Sequence, residues 1–389
     1  MRKTTALAAA ALVTLVAGCS DTSSEGSGSP EGLTGSGKGE SCSIPDTVKI
    51  GASFSLSGAG EFAGVPQRNG LELAVQQLNE REGVDYETEV VDDETDSETS
   101  IATFEEFAAG DASVVFGPTF SSIGTWGLPV AQEAGLPAIG VSTTAVGIPE
   151  IGDFVFRSAL PEEDTVAASV PAAHAELDFD RVAILHTYDD DFTVSTYEAM
   201  RAQLNNVDSE IVVDDSFPSV QDDYDEFLDE VAAERPDVIL LSIFPETTEK
   251  IVGGLRSRGI DAPVLGGDAF NSPAMFEAMG ENAENLIVGG SWSAELDTLG
   301  NQAFVDAYGE AYDSEPDQFA AQAYTAAMLV DAAVRSECDA GRTALRDSLG
   351  EITDEETIMG TVSLSPTGEF FAEPVVQIVK DGELTLLSD

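Results

Sequence analysis

The feature that most constrains the fold is an alternation of buried-type strands and helices that runs along the chain twice. In the first series, the strand "TVKIGASFSL" precedes "RNGLELAVQQLNE", in which apolar residues recur at helical spacing. A second series begins at "RVAILHTYDDD" and repeats the same order. Strand–helix–strand order is typical of parallel sheets with right-handed crossovers. Because the order restarts, the sequence predicts two Rossmann-like α/β lobes rather than one large sheet.

The amino terminus has the layout of a secretory signal. Arg2 and Lys3 precede an apolar run from Ala6 to Ala17, which is too short for a permanent membrane helix. The run ends at "VAGC", which resembles the bacterial lipoprotein box and implies a lipid on Cys19. The sequence therefore predicts a signal peptide over residues 1–18. The alternative is an ordinary signal peptide in which Cys19 is incidental.

Residues 19–46 are rich in Ser, Gly and Glu and contain few apolar side chains. Such a composition buries too little apolar surface to offset the entropy of ordering, so it predicts a flexible tether. A tether behind a lipidated cysteine would hold the protein at the outer face of the cytoplasmic membrane.

The chain is strongly acidic, with 72 Asp and Glu against 17 Lys and Arg, a formal net charge of −55. This charge argues against nucleic-acid partners and against binding to anionic lipid surfaces. It is typical of a protein from a saline or alkaline habitat, where salt screens the repulsion. The alternative is that acidity only keeps a secreted protein soluble.

Two further cysteines, Cys42 and Cys338, remain in the mature chain. Outside the cell such a pair tends to oxidise. Two cysteines alone do not establish the geometry that a disulfide needs, so both the bonded and the free state stay open.

Ligands of open α/β sheets sit beyond the carboxyl ends of the strands. In the first series those ends carry hydroxyls and glycines, and in the second they carry carboxylates and aromatic rings. The segments are Ser55–Gly60, Thr119–Ser122 and Ser142–Thr144, then Thr187–Phe192, Phe244–Glu246 and Gly267–Asp268. Facing each other across a cleft, these two walls suit a small molecule with one negative and one positive end.

Three segments carry a family resemblance: "VKIGASFSLSGAGEFAGVPQRNGLELAVQQLNE", "VVFGPTFSSIGTWGLPVAQEAGLPAIGVSTTA" and "APVLGGDAFNSPAMFEAMGENAENLIVGG". They resemble the branched-chain amino-acid-binding (Leu/Ile/Val) type of periplasmic solute-binding protein, which serves ABC transporters. The resemblance implies the type I fold, with three hinge crossings between the lobes. It places residues 47–162 and 292–362 in lobe one, and residues 163–291 and 363–389 in lobe two.

The resemblance also implies ligand contacts. The ligand carboxylate would be held by Ser121, by the backbone of Ser142 and by the hydroxyl of Thr144, with Thr143 between the last two. The ligand ammonium would pair with Asp268. Taken by themselves, Ser121 also suits a helix N-cap and Asp268 a solvated loop.

The aromatic positions of the family differ in this chain. Ala63, beside Phe62, stands where a tyrosine is expected, and Phe244 keeps a ring without its hydroxyl. A third tyrosine position falls on Asp191, or on Phe192 if the register shifts by one residue. The loss of phenols argues against strict branched-chain specificity and leaves room for related zwitterions, amides, urea-like compounds or aromatic acids.

Other functions find less support. The glycines of "FSLSGAGEFAG" are not followed directly by a predicted helix, since Pro66 intervenes. The candidate acids for a dinucleotide site, Asp92 and Asp93, lie nearer 30 than 20 residues further on. The sequence contains no H-E-x-x-H, C-x-x-C or G-x-S-x-G motif, so it predicts no metal, cofactor or catalytic site. The acidic run "TYDDDF" matches no calcium loop and is interpreted as a solvated face.

The sequence thus predicts a non-enzymatic solute-binding lipoprotein whose partners are a small-molecule ligand, an ABC transporter permease and the membrane that holds its lipid anchor. A ligand-sensing receptor module of the same fold is the alternative, and a secreted enzyme is a third.

Overall fold

The structure, a computed structural model, describes residues 33–221 and 223–387. The predicted signal peptide, Cys19 and the first part of the predicted tether lie outside the described residues. Within them the predicted two-lobe α/β fold is confirmed.

Lobe one is built on a parallel sheet whose strand order is β2-β1-β3-β4-β5. Its strands are β1 (Val48–Phe54), β2 (Tyr86–Asp92), β3 (Val114–Phe116), β4 (Ala138–Gly140) and β5 (Val155–Arg157). Three helices connect them: α1 (Glu61–Leu78), α2 (Ser97–Ala109) and α3 (Ser121–Ala134). Two apolar clusters cover the sheet, one with α1 and the other with α2 and α3.

Lobe two is built on a mixed sheet in the order β15-β14-β10-β9-β8-β6-β7. The first five of its strands along the chain are parallel, and the last two join antiparallel. The strands are β6 (Arg181–Thr187), β7 (Glu210–Phe217), β8 (Val238–Ser242), β9 (Val264–Gly266), β10 (Leu286–Gly290), β14 (Val375–Lys380) and β15 (Glu383–Leu386). The helices are α4 (Glu162–Leu177), α5 (Asp191–Leu204), α6 (Asp225–Glu234), α7 (Pro245–Ser257) and α8 (Pro273–Met279).

After β10 the chain returns to lobe one. The returning segment contributes α9 (Asn301–Tyr312), α10 (Gln318–Glu337), α11 (Arg342–Leu349) and a small antiparallel sheet of β11 (Glu355–Thr357), β12 (Gly360–Leu364) and β13 (Phe370–Phe371). Helix α10 packs along α1, and the close approach of the two backbones needs Gly70, because a side chain there would collide with the carbonyl of Ala320.

The lobes are joined where the chain passes from β5 to α4, from β10 to α9 and from β13 to β14. The predicted end of lobe one at residue 362 falls too early. Leu364 and Phe370 both belong to the lobe-one core, and Arg157 of β5 is ion-paired with Glu369. These contacts hold the returning segment in lobe one until β13.

The segment of residues 33–46 differs from the flexible tether that the composition predicted. Leu33 is buried, Ser36 and Ser43 pair as a short bridge, and Cys42 forms a disulfide with Cys338 at the end of α10. The amide of Gly35 also donates to the carbonyl of Cys338 at 2.7 Å. Contacts with residues about 300 positions away therefore order a segment whose own composition cannot.

No helix within these described residues is long and apolar enough to span a membrane.

Candidate functional site

The carboxyl ends of the two parallel sheets face each other across a narrow cavity between the lobes. Lobe one lines it with Phe62, Ala63, Thr119, Phe120, Ser121, Ser142 and Phe319, and lobe two with Phe192, Phe244, Asp268 and Ala269. The cavity has room for about 20 Å³, close to the volume of one water. The lobes therefore stand in a closed arrangement, with side chains of both walls in contact.

Five phenylalanine rings form a continuous chain through this cavity. Their centroids are 5.6 Å apart for Phe319 and Phe62, 6.1 Å for Phe62 and Phe120, 5.1 Å for Phe120 and Phe244, and 5.6 Å for Phe244 and Phe192. The step from Phe120 to Phe244 crosses from lobe one to lobe two. Aromatic rings at these separations attract one another beyond the burial of their area. The middle of the site is thus apolar and aromatic.

At the lobe-one wall, Ser121 is the first residue of α3 and is 1% exposed. Phe120, not Ser121, is the N-cap residue, and its side chain makes no capping hydrogen bond. The Ser121 hydroxyl instead accepts a hydrogen bond from the amide of Ala145 at 3.2 Å. The interpretation of Ser121 as an N-cap is therefore wrong, and the first turn of α3 presents N–H groups and a positive dipole end beside the cavity.

A glutamine that the sequence analysis missed holds this wall together. Gln67 of α1 is fully buried; its Nε2 donates to Ser142 Oγ at 2.6 Å, and its Oε1 accepts from Thr119 Oγ1 at 2.8 Å. Ser142 Oγ in turn donates to the carbonyl of Thr119 at 2.6 Å. Gln67 lies one helical turn before Leu71 on the buried face of α1, so a polar residue at an apolar position was the available signal.

Helix α1 begins earlier than the sequence predicted. It starts at Glu61, and Pro66 lies inside it, where it supplies no N–H to the carbonyl of Phe62. The glycine-rich stretch therefore leads directly into a helix, and that argument against a dinucleotide loop does not hold. Gly64 faces the carbonyl of Ser55, with no space for a side chain. Gly64 therefore permits a close approach between the backbone of α1 and the backbone of the segment that follows β1.

Thr143 and Thr144 are fully buried and do not line the cavity. Thr143 packs back against Gly140 and Gly124 inside lobe one. The Thr144 hydroxyl has no hydrogen-bond partner among the described residues, while its carbonyl accepts from the amide of Glu162 at 3.0 Å. Thr144 is therefore joined directly to the opposite, acidic wall.

That acidic wall contains two carboxyl groups, of which the sequence predicted one. Asp268 begins a short 3-10 helix after β9, and Glu162 is the first residue of α4. The amide of Asp268 donates to Glu162 Oε1 at 3.3 Å, so the two acidic residues are in direct contact. Asp268 is 4% exposed and Glu162 fully buried, so Asp268 is not the solvated loop residue of the alternative interpretation.

Burial dominates the protonation of this pair. It raises the pKa of Asp268 to about 7. It also raises the pKa of Glu162 well above its usual range, to which the neighbouring Asp268 charge adds. At neutral pH the pair therefore retains at least one proton.

The start of α5 contains the residues of "TYDDDF" that the sequence offered as ligand contacts, Asp191 and Phe192. Phe192 lines the cavity, whereas Asp191 is exposed and does not. Asp190 caps α5 by accepting from the amides of Phe192 at 2.9 Å and Thr193 at 3.3 Å. Asp189 accepts from Ser219. The acidic residues of "TYDDDF" therefore make loop and capping contacts. Among the described residues, no group of three or more His, Cys, Asp or Glu side chains is arranged to hold a metal ion.

A sequence model of the family described as periplasmic binding protein matches residues 47–382. No curated protein matches the chain by sequence.

Several solved structures share the fold. One is the substrate-binding protein of a branched-chain amino acid transporter from Streptococcus pneumoniae in complex with isoleucine. It is 24% identical, over 87% of this chain and 98% of that chain, with a TM-score of 0.81. A leucine-binding protein from Thermotoga maritima is 20% identical, over 87% and 97% of the two chains, with a TM-score of 0.80.

A solute-binding protein of an ABC transporter from R. palustris, in complex with benzoate, is equally similar in fold. It is 21% identical, over 88% of this chain and 96% of that chain, with a TM-score of 0.80. At these identities the likeness concerns the fold alone.

Proposed function

Since the chain belongs to the periplasmic binding protein family, we propose that it is an extracytoplasmic solute-binding lipoprotein that delivers an amino acid or a related small zwitterion to an ABC transporter. Cys19 would carry the lipid, and the transporter permease would be the protein partner. The protein would bind and release its ligand without making or breaking a covalent bond.

One observation carries this proposal: Ser121 at the start of α3 and Asp268 of the opposite lobe line the same cavity. A carboxylate placed at Ser121 would meet a hydroxyl and the positive end of a helix dipole. An ammonium placed at Asp268 would meet a buried carboxyl group. Hydrogen bonds to charged groups contribute about 1.5–3 kcal/mol each, so the two ends together would select a zwitterion.

The phenylalanine rings would contact the side chain between these ends. They supply apolar surface and no phenol groups, which favours an apolar amino acid. Opening of the lobes would admit the ligand, and closure would exclude water and strengthen the charged contacts.

The experiment is a titration-calorimetry panel of amino acids, amides and aromatic acids against the protein without its signal peptide. Replacement of Asp268 by Ala should weaken binding of the best amino acid by about 10- to 100-fold, the loss expected for one charged hydrogen bond. Asp191→Ala is the matched control, because it removes an exposed carboxylate from the same lobe edge. Equal affinity of the Asp268→Ala variant and the wild type would refute the site.

The chain of five rings favours a second candidate, an aromatic carboxylate. Such a ligand would place its carboxylate at Ser121 and its ring among the phenylalanines, and it would leave Asp268 without a cationic partner. Benzoate in the same panel separates the two functions. Benzoate binding that survives Asp268→Ala, with no binding of any amino acid, would establish this candidate.

A further inference from the structure

We propose that Glu162 is the second carboxyl group of the cation subsite, and that a ligand ammonium displaces the proton that Glu162 and Asp268 share. This inference rests on the proposed function, because it concerns the positive end of a zwitterion in the same cavity. It makes Glu162 a specificity-determining residue, and it makes the release of a proton part of ligand binding.

The geometry of the pair carries the inference. Glu162 Oε1 accepts from the amide of Asp268 at 3.3 Å, whereas Glu162 Oε2 is buried and has no hydrogen-bond partner among the described residues. The Thr144 hydroxyl, on the residue whose carbonyl accepts from the Glu162 amide, is likewise buried without a partner. Buried polar atoms are nearly always satisfied, so an unused carboxyl oxygen on the residue in contact with Asp268, which lines the cavity, indicates a group that it has yet to bind.

The groups that contact the pair from the neighbouring elements are neutral. Thr196 of α5 lies beside Glu162 and donates its hydroxyl to the carbonyl of Phe192 at 2.9 Å, and Gln318 of α10 donates to the carbonyl of Asp268 at 3.3 Å. Arg157, which contacts the carbonyl of Thr144, is ion-paired with Glu369. The charge on the pair is therefore compensated only by the proton that it holds, and burial disfavours a second negative charge in its absence.

A ligand ammonium changes this balance. It brings a positive charge and three N–H donors to the two carboxyl groups, so both can ionise. The O–H bond of the shared proton breaks, the proton passes to water, and the ammonium takes its place between two carboxylates. A ligand of the same shape that lacks the ammonium provides no charge to replace the proton.

The proton released is measured by calorimetry in buffers of different ionisation enthalpy, with L-leucine as the probe and 2-hydroxyisocaproate as its analogue without an ammonium. We expect about one proton released per leucine bound at pH 7, and none with the analogue. Glu162→Gln should abolish the release and weaken leucine binding about tenfold or more. Glu163→Gln removes an exposed carboxylate from the same helical turn and should change neither.

A second measurement detects the proton directly and needs no Glu162 variant. Infrared spectra at pH 7–8 should show the band of a protonated carboxylic acid in the ligand-free protein, and leucine should remove it. An Asp317→Asn background is used, because burial also raises the pKa of Asp317 to about 7.

The outcomes are distinct. Absence of the band, leucine binding without proton release, or equal effects of the Glu162 and Glu163 substitutions would overturn this inference and leave the proposed function standing. Failure of every amino acid in the panel to bind would overturn the proposed function, and the displacement of the proton with it.

Discussion

Phe120 of lobe one and Phe244 of lobe two meet edge to face across the cavity, with ring centroids 5.1 Å apart and an interplanar angle of 64°. The contact is made at the N-cap positions of two facing helices, α3 and α7. It couples the closure of the lobes to the apolar centre of the site. A ligand side chain has to enter among these rings, so the same residues determine both ligand shape and the stability of the closed state.

Replacement of Phe244 by Ala should therefore weaken ligand binding and favour the open arrangement. The substitution removes ring contacts with both Phe120 and Phe192. We expect leucine affinity to fall by about tenfold or more, since an aromatic pair contributes about 0.5–1.5 kcal/mol beyond its buried area. Small-angle scattering of the ligand-free variant should show a larger radius of gyration.

Phe371→Ala is the control for this substitution, because Phe371 is 51% exposed and lies on the small sheet of lobe one, outside the cavity. If the two variants bind leucine equally well, the ring chain does not contribute to binding.

Gln67→Leu should impair the lobe-one wall without removing any residue that lines the cavity. The substitution breaks the hydrogen bonds with Ser142 and Thr119 and leaves their hydroxyls to reorient. Loss of partners for buried polar groups costs about 1–3 kcal/mol of folding stability. We expect a lower thermal midpoint and a drop of about tenfold in affinity for carboxylate ligands, measured by calorimetry.

Gln77→Leu tests whether that drop is specific. It breaks one hydrogen bond from the same helix, the 2.5 Å bond that the Tyr324 hydroxyl donates to Gln77, far along α1 from the cavity. It should lower stability without changing affinity. Matched affinity losses in the two variants would contradict a local role for Gln67.

The fold could be predicted from the sequence because it depends on local patterns. Strand–helix alternation and the restart at Arg181 indicate two parallel sheets, and the rule that ligands bind at strand ends points to the segments around Ser121 and Asp268. Glu162 could not be found in this way. It lies at a crossing between the lobes, and its contact with Asp268 joins residues 106 positions apart.

Other features depend on tertiary contacts that no local pattern records. Phe319 reaches the cavity from the returning segment, at the start of α10. The ordering of residues 33–46 depends on Cys338 and on the burial of Leu33, although the composition of the segment is that of a linker. Local strand–helix patterns therefore predict the sheets well, whereas local composition predicts the anchoring of the amino-terminal segment poorly.

Reduction of the Cys42–Cys338 disulfide should destabilise lobe one. The bond closes a loop of 296 residues and holds the segment before β1 against the end of α10. Loss of a native disulfide costs about 2–5 kcal/mol, so we expect a reductant to lower the thermal midpoint by several degrees. Limited proteolysis should then cut within residues 33–46 first.

A Cys42→Ser, Cys338→Ser double variant should melt at the lower midpoint and ignore the reductant. A wild type whose midpoint is equally insensitive would show that the bond does not stabilise the fold.

Asp317, the N-cap of α10, should make stability depend on pH. Its side chain accepts from the amide of Ala320 at 2.9 Å, and burial raises its pKa to about 7 from an unfolded value near 4. The folded state therefore binds more protons than the unfolded state between about pH 4 and 7, and this residue's contribution to the free energy of unfolding falls as pH rises through that window.

Asp317→Asn keeps a capping oxygen without the charge. We expect its thermal midpoint to match the wild type near pH 4.5 and to exceed it by several degrees at pH 8. Asp313→Asn, at an exposed aspartate four residues earlier, should show no such divergence. A constant difference between Asp317→Asn and the wild type across this range would mean that Asp317 is ionised in the folded protein throughout.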